Sequence, residues 1–317
     1  MRIFLSASLP RLALKSISMT DREVRIGISG WTYAPWRGVF YPKGLVQKRE
    51  LEYASRQMNS IEINGTFYSL QTPDSFRKWS DATPDDFVFA VKGSKYISHR
   101  KRLKDIRIPL ANFFASGLLL LGKKLGPILW QFPPWEQFEY DRFSDFLRLL
   151  PRTSAAAAKL AAENTIKQAD KRWVKAIERT QLRYAFEPRH ASFFTGEFVD
   201  LLRKHKAALA FADSAGKWGY AEDITSDHIY IRLHGKNKLY ESDYSDDELV
   251  QWAERIKLWS NGSEPPDAKR SAKRKAASTR KRDVFVYLDN SIKVHAPFDA
   301  IQLAKQLGIQ IQKSPAV

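Results

Sequence analysis

Residues 60–68 read SIEINGTFY, and the fold turns on them. Ile61 and Ile63 alternate with Glu62 and Asn64, so one side of an extended segment is aliphatic and the other carries a carboxylate and an amide. Period-two side chains send those two sets to opposite faces of a strand. A carboxylate on the inner face of a buried strand is costly unless it is paired or hydrogen-bonded. Where such a strand opens into a loop, Glu62 marks a place for chemistry.

The pattern repeats in both directions. RIGISG at 25–30 precedes it, and FVFAVK at 87–92, PILWQ at 127–131, YAFE at 184–187, AALAFAD at 207–213, IYIRLH at 229–234 and VFVYLD at 284–289 follow. Helical stretches lie between them. Ser245 and Glu248 form a capping box ahead of Leu249, Trp252, Ala253 and Ile256 at helical spacing. Ala300, Leu303, Ala304 and Leu307 do the same after Pro297, and Gly308 stops that helix. The Ala-rich piece at 153–180 reads as a helical insertion between strands four and five. Eight strands alternating with helices point to an α/β fold, a TIM-type (β/α)8 barrel. A doubly wound sheet would offer a GxGxxG loop after strand one, a form that GISGWTY followed by Pro35 lacks.

Composition bounds the rest. The chain has 317 residues, 44% of them apolar, enough for one large core. No apolar run reaches the ~18 residues of a membrane span, so no membrane partner is expected. The absence of cysteine excludes disulfides, thiolate metal sites and cysteine nucleophiles, and is compatible with a reducing cytoplasm, the expected location. The net charge of +17 suggests an anionic partner. Between 260 and 282, eight Lys/Arg face only Glu264 and Asp267. That Pro/Ser/Ala-rich segment shows no apolar periodicity and is expected to be a disordered, solvated basic loop with non-specific attraction for nucleic acid. Residues 1–22 read as a disordered extension outside the fold, and 23–317 as a single barrel domain. The apolar run of the extension, broken by Ser6, Ser8 and Pro10, is poor for a targeting peptide.

A barrel carries its functional residues at the C-terminal ends of the strands, on the inward parity. Inward parity falls on Gly27 and Ser29; Glu62 and Asn64; Val88, Ala90 and Lys92; Leu129 and Gln131; Ala185 and Glu187; Tyr230, Arg232 and His234; and Phe285, Tyr287 and Asp289, next to Asn290. Strand six ends in Asp213, which shares its parity with Leu209 and Phe211. A merely structural barrel explains one or two such charges, not a ring of Glu62, Lys92, Glu187, Arg232, His234 and Asp289, so a pocket is expected there.

GISGWTYAPWRGVFYP, IEINGTFY, WSDATPDDFVFAVKGSKYISH, LWQFPP, FEPRHASF, IRLHG and the final YLDN with APFDA resemble, in order, the YecE-like barrel family, also called domain-of-unknown-function family seventy-two. The resemblance runs from about Arg25 to about Gly308. It implies a TIM-type barrel, somewhat like those of endonuclease IV and xylose isomerase, and supplies no established reaction. One departure is Tyr287-Leu288-Asp289-Asn290, where the family commonly has an aromatic residue and two asparagines, so the resemblance carries no role over to Asp289.

Three chemistries compete. Metal-dependent phosphodiester cleavage needs several converging His, Asp and Glu ligands. Of the six histidines, His205, His228 and His295 are placed in a helix, at the wrong strand end and beyond strand eight, which leaves His99, His190 and His234. No cofactor is required and no metal ligand is assigned, although a single divalent ion on Glu62, Glu187 and Asp213 stays open. Acid/base work without metal would fall to Glu62, Glu187 and His234, with Lys92, Arg189 and Arg232 binding negative charge. Around them Trp31, Tyr33 and Trp218 are expected to stack on a ligand, while Asn64, His99, Gln131, His190, Asp213, Asp289 and Asn290 complete the binding set. Lys92, Lys95, His99, Arg100, Lys101, Arg102 and Lys104 would make the mouth basic. The expected function is therefore a hydrolase-type enzyme acting on a phosphate-bearing or nucleic-acid-like ligand. A non-catalytic nucleic-acid-binding module is the alternative, and a sugar-processing enzyme the third.

Overall fold

The computed structural model describes residues 23–276, 280–292 and 294–310; the extension expected at 1–22 lies outside them. Eight parallel strands close into a barrel in chain order. They are β1 (Val24–Ser29), β2 (Ser60–Ile63), β3 (Val88–Lys92), β4 (Leu125–Gln131), β5 (Tyr184–Glu187), β6 (Ala208–Asp213), β7 (His228–Leu233) and β8 (Asp283–Leu288). Helices α1 (Glu50–Ala54), α2 (Gly65–Tyr68), α3 (Pro73–Asp81), α4 (Arg107–Ala115), α5 (Tyr140–Leu149), α6 (Ser154–Ala161), α7 (Gly196–His205), α8 (Asp246–Ser260) and α9 (His295–Gln306) surround it. The expected (β/α)8 barrel is thus the architecture of the chain.

Two cores follow from the alternation along each strand. Ile26, Ile28, Ile61, Ile63, Val91, Trp130, Phe186, Ile231 and Val286 face outward and pack under the helices. Ala90, Leu129, Ala185, Ala208, Ala210, Tyr230, Phe285 and Tyr287 fill the interior. Small residues on β3, β5 and β6 leave room for the rings from β7 and β8, so the barrel centre is packed rather than open. At Gly27 a Cβ would lie 1.7 Å from the Ser60 carbonyl oxygen, so the close approach of β1 to β2 requires glycine there.

Strand six resolves against the site. Ala208 and Ala210 point inward, which puts Asp213 on the outer parity with Leu209 and Phe211. The capping box at Ser245 forms as expected, its hydroxyl accepting from the Glu248 amide while the Glu248 carboxylate accepts from the Ser245 amide. The insertion is helical only over α6, capped by Thr153. Beyond α6 the chain makes one short 3-10 turn at Ala169–Lys171 and returns through a bridge between Thr153 and Gln181, although Ile166, Ala169, Trp173 and Ile177 recur at helical spacing.

The basic segment is also laid down on the barrel, contrary to the expectation of a solvated loop. The Lys269 amide donates to Glu222, and the Ser271 and Ala272 amides donate to Asp223. Arg255 grips Glu222 through Nη2 and Asp267 through Nη1. Distant acids hold this backbone, and a local apolar pattern carries no trace of them. Residues 277–279 lie outside the described structure.

Candidate active site

The centre of the mouth is Arg232, wholly buried at the end of β7. Its Nε and Nη2 donate to the two oxygens of Glu62 at 3.1 and 2.9 Å. Nη1 donates to Glu187 Oε2 at 2.8 Å, and Nη2 also reaches Asp289 Oδ2 at 3.0 Å. One guanidinium thus bridges β2, β5 and β8 in the bidentate geometry that suits arginine. Register brings the acids to it: Ser29 pairs with Glu62 across β1/β2, and Gln131 with Glu187 across β4/β5.

Glu62 is fully engaged. Ser29 Oγ donates to Oε1 at 2.9 Å and Tyr230 Oη to Oε2 at 2.6 Å, in addition to the two contacts from Arg232. Glu187 accepts from Gln131 Nε2 at 2.9 Å and Arg189 Nε at 3.0 Å as well as from Arg232. Burial alone would raise the Glu187 pKa, but Arg232 and then Arg189 hold it well below the usual carboxylate range. Both glutamates therefore position arginines, and Glu62, with two donors on each oxygen, has no acceptor site left for acid/base work.

His234, also buried, places Nδ1 3.1 Å from Asp289 Oδ2. Its Nε2 faces Arg232 Nη1 at 3.4 Å and Glu187 at 3.8 Å. Burial, then the Arg232 charge, lowers its pKa, so the imidazole is neutral. Asp289 is the member of this pair that meets solvent, with 16% of its side chain exposed. Burial works to raise its pKa, yet Arg232 and then the hydrogen bond to His234 bring it below the ordinary aspartate value.

Around this centre stand the cations of the rim. Lys92 ends β3, only 7% exposed, with Nζ 4.3 Å from the Phe67 ring centroid. No carboxylate among the described residues lies within ion-pair distance of it. Burial and the Arg232 charge lower its pKa to about 8. Arg189 lays its guanidinium 3.6 Å from the Trp218 ring centroid and donates to Tyr240 Oη at 3.3 Å. His99 packs edge-on to Phe67 and Trp135, and burial followed by the Lys92 and Arg189 charges brings its pKa down to about 4. Tyr68 and Trp135 stand 66% and 63% exposed at this rim, with Lys95 over the Tyr68 ring.

Other expected residues lie elsewhere or serve the fold. Trp31, Tyr33 and Asn64 line a separate cavity of about 360 Å³ with Tyr68 and Trp79, on the β1/β2 side of the mouth. Tyr33 Oη donates to the Ser29 carbonyl, and Asn64 Oδ1 is buried without a hydrogen-bond partner. His190 is absorbed locally, accepting from the Ser192 amide to cap a short turn at Ala191–Phe193. Asn290 Nδ2 donates to Asp299 and the Ser242 carbonyl, pinning a loop. Asp213 accepts from Tyr244 Oη, faces away from Arg232 and does not join the ring. The trio Glu62, Glu187 and Asp213 consequently cannot converge on an ion: Arg232 occupies the space between the glutamates. No group of three or more His, Asp or Glu placed to hold a metal occurs among the described residues. Arg102, expected on the basic rim, is paired with the buried Glu136. Tyr230 and Tyr240 are the residues the sequence did not single out. Interior parity pointed to Tyr230, whereas no pattern signals Tyr240, which sits at positive φ in an irregular loop.

No helix among the described residues is long and apolar enough to cross a membrane. Comparison with solved structures finds a family protein from Thermotoga maritima MSB8 with a TM-score of 0.66 and 24% identity, covering 90% of this chain and 100% of that one. Another, from Enterococcus faecalis V583, has a TM-score of 0.63 and 15% identity over 90% of this chain and 96% of its own. UPF0759 protein YunF of Bacillus subtilis is 30% identical over 117 residues, 35% of this chain and 40% of that protein. UPF0759 protein YecE of Escherichia coli K12 is 29% identical over 110 residues, 35% of this chain and 38% of that protein. These alignments span about two fifths of the curated relatives they match. The family model described as "Protein of unknown function DUF72" matches residues 25–317, nearly the whole barrel, and the chain belongs to that family.

Proposed function

We propose that the barrel mouth is an enzyme site for a phosphate-bearing, nucleic-acid-like ligand. The observation that carries this reading is the set of cations at the rim. Among the described residues no carboxylate lies within ion-pair distance of Lys92, and Arg189, paired with Glu187, lies over the Trp218 ring with Nη2 also toward Tyr240. Glu62, Glu187 and Asp289 are hydrogen-bonded to Arg232, and Glu187 to Arg189 as well, so added anionic charge at the rim meets Lys92, the outer side of Arg189 and the loop cations first. The exposed rings of Tyr68 and Trp135 suit stacking on a planar group.

Proton transfer falls to the Asp289–His234 pair. Asp289 touches solvent and acts on water or ligand, while His234 orients it and, in its buried neutral form, contributes no competing positive charge. Hydrolysis is the simplest reaction these groups serve. Glu62 and Glu187 support it by fixing Arg232 and Arg189.

The test pairs binding with turnover. Affinity for a fluorescent single-stranded oligonucleotide is measured across salt concentrations, with Arg189→Ala expected to weaken it by about tenfold and to flatten the salt slope. Unchanged affinity would overturn the site. Asp289→Asn is expected to keep binding and abolish release of cleaved product. Binding with no turnover in the unsubstituted chain, with any divalent ion, would favour the non-catalytic nucleic-acid-binding module.

A further inference from the structure

The chemistry of Lys92 goes further than attraction of an anion. An amine in a barrel mouth normally sits against a carboxylate, and here the acids of the ring have gone to other cations. Glu62 is filled by Ser29, Tyr230 and Arg232, Glu187 by Gln131, Arg189 and Arg232, and Asp289 by Arg232 and His234. Lys92 is left beside the face of Phe67, nine-tenths buried, in the field of Arg232. A lysine that is desolvated and next to another cation is the arrangement that activates an amine as a nucleophile toward carbonyl compounds.

The β3 terminus holds it still. Thr66 Oγ1 donates to the Lys92 carbonyl at 2.6 Å, and the Gly93 amide donates to the Leu129 carbonyl at 2.8 Å, so the backbone on either side of Nζ is fixed to α2 and β4. Charged groups reach it from each neighbouring element: Arg232 on β7, Glu62 on β2, Glu187 on β5 and Asp289 on β8. Its own loop adds His99, kept neutral, and Lys95. Burial and Arg232 outweigh the three acids, so the pKa of the amine is lowered from the ordinary lysine value of 10.5 to about 8. At neutral pH that raises the unprotonated fraction roughly 300-fold over a solvated lysine.

We infer that Lys92 forms an imine with a phosphate-bearing aldehyde or ketone, whose phosphate is held by Arg189 and the rim cations. This rests on the proposed anion site at the mouth, though not on hydrolysis as the reaction. The neutral Nζ adds to the carbonyl carbon, forming C–N while the C=O π pair goes to oxygen, and a proton passes from nitrogen to that oxygen. The carbinolamine then loses its hydroxyl as water, with one proton taken up, and the nitrogen lone pair closes the C=N bond. No oxidant or further reactant is consumed.

Trapping tests it. The intact chain is incubated with glyceraldehyde 3-phosphate or dihydroxyacetone phosphate and sodium cyanoborohydride, followed by intact mass and peptide mapping. One adduct per chain on the peptide containing Lys92 is expected, with a rate midpoint near pH 8, suppression by glycerol 3-phosphate, and loss in Lys92→Arg. The pH midpoint is read on the unsubstituted chain, so the result does not depend on that variant folding. Label spread over surface lysines, or a Lys92 that reacts no faster than they do, overturns the inference. If glycerol 3-phosphate binds in an Arg189-dependent manner but no adduct forms at Lys92, the imine falls while the anion site stands. If unphosphorylated glyceraldehyde labels Lys92 equally fast and glycerol 3-phosphate does not compete, the amine chemistry stands and the anion site falls. Neither binding nor adduct overturns both.

Discussion

Arg232 decides the stability of the site. Removing it leaves Glu62 buried without its counter-ion and Glu187 with Arg189 alone, a situation that costs about 3–5 kcal/mol. Arg232→Met is therefore expected to lower the unfolding free energy by that much, read as a lower urea midpoint, and adding Glu62→Gln to it should recover part of the loss. Glu187 and His234 both have folded pKa values below their unfolded ones. Their contribution is present above the unfolded values of 4.5 and 6.5 and is lost as pH falls below each. Stability should thus decline from about pH 6.5 downward, and thermal unfolding followed through that window reads it, with His234→Gln removing the upper part of the decline. Lys92 works in the same direction at higher pH. Its folded pKa is lowered from 10.5 to about 8, so the unfolded state binds more protons between those values and stability rises with pH across them. Lys92→Met should abolish that rise and stabilise the chain at pH 7 by on the order of 1–3 kcal/mol. A destabilised Lys92→Met protein would show that the buried ammonium is held more favourably than its surroundings indicate.

Elements transmit precision to these side chains. The end of β3 is set by Gly93, where a Cβ would come within 2.3 Å of the Trp130 ring. Trp130 is wholly buried between Phe113 and Phe146 and has no room to retreat. Gly93→Ala should therefore cost about 1–3 kcal/mol in overpacking, and by moving the Lys92 backbone should slow carbonyl trapping more than it alters anion binding. On the β7–α8 connection, Ser245→Ala removes the hydroxyl that caps α8 and is expected to cost about 1 kcal/mol while leaving the β3 end, and hence trapping, unchanged. Together these variants separate loss of geometry at the β3 end from loss of stability in general.

At the scale of the molecule, the basic segment is bound by acids from the β6–β7 connection. Asp223 accepts two of its amides, and Glu222 a third. Asp223→Ala is expected to free that backbone, seen as faster tryptic cleavage at Lys273 or Arg274 with the barrel fragment intact. Resistance equal to the unsubstituted chain would mean that Arg255 and Glu222 suffice to anchor the segment. For oligonucleotide binding, substitution of Lys273, Arg274 and Lys275 is accordingly a cleaner control than deletion, which would leave Glu222 and Asp223 without their amide donors.

The sequence by itself determined the barrel and the ring at its mouth. Strand alternation is a local property: each two-residue period fixes which side chains share a face, so Glu62, Lys92, Glu187, Arg232 and Asp289 could be assigned to one side of their strands. The mixed pattern of β6 was ambiguous for the same reason, and only the inward alanines of the closed barrel turned Asp213 away. Which acid meets which base was decided by tertiary structure alone. Pairing at 3 Å depends on strand stagger, ring packing and loop paths that bring β2, β5, β7 and β8 together, and these are non-local. Thus the glutamates with the strongest sequence signal became arginine supports, Asp289 became the part-exposed partner of His234, and Lys92 was left without an ion-pair partner among the described residues.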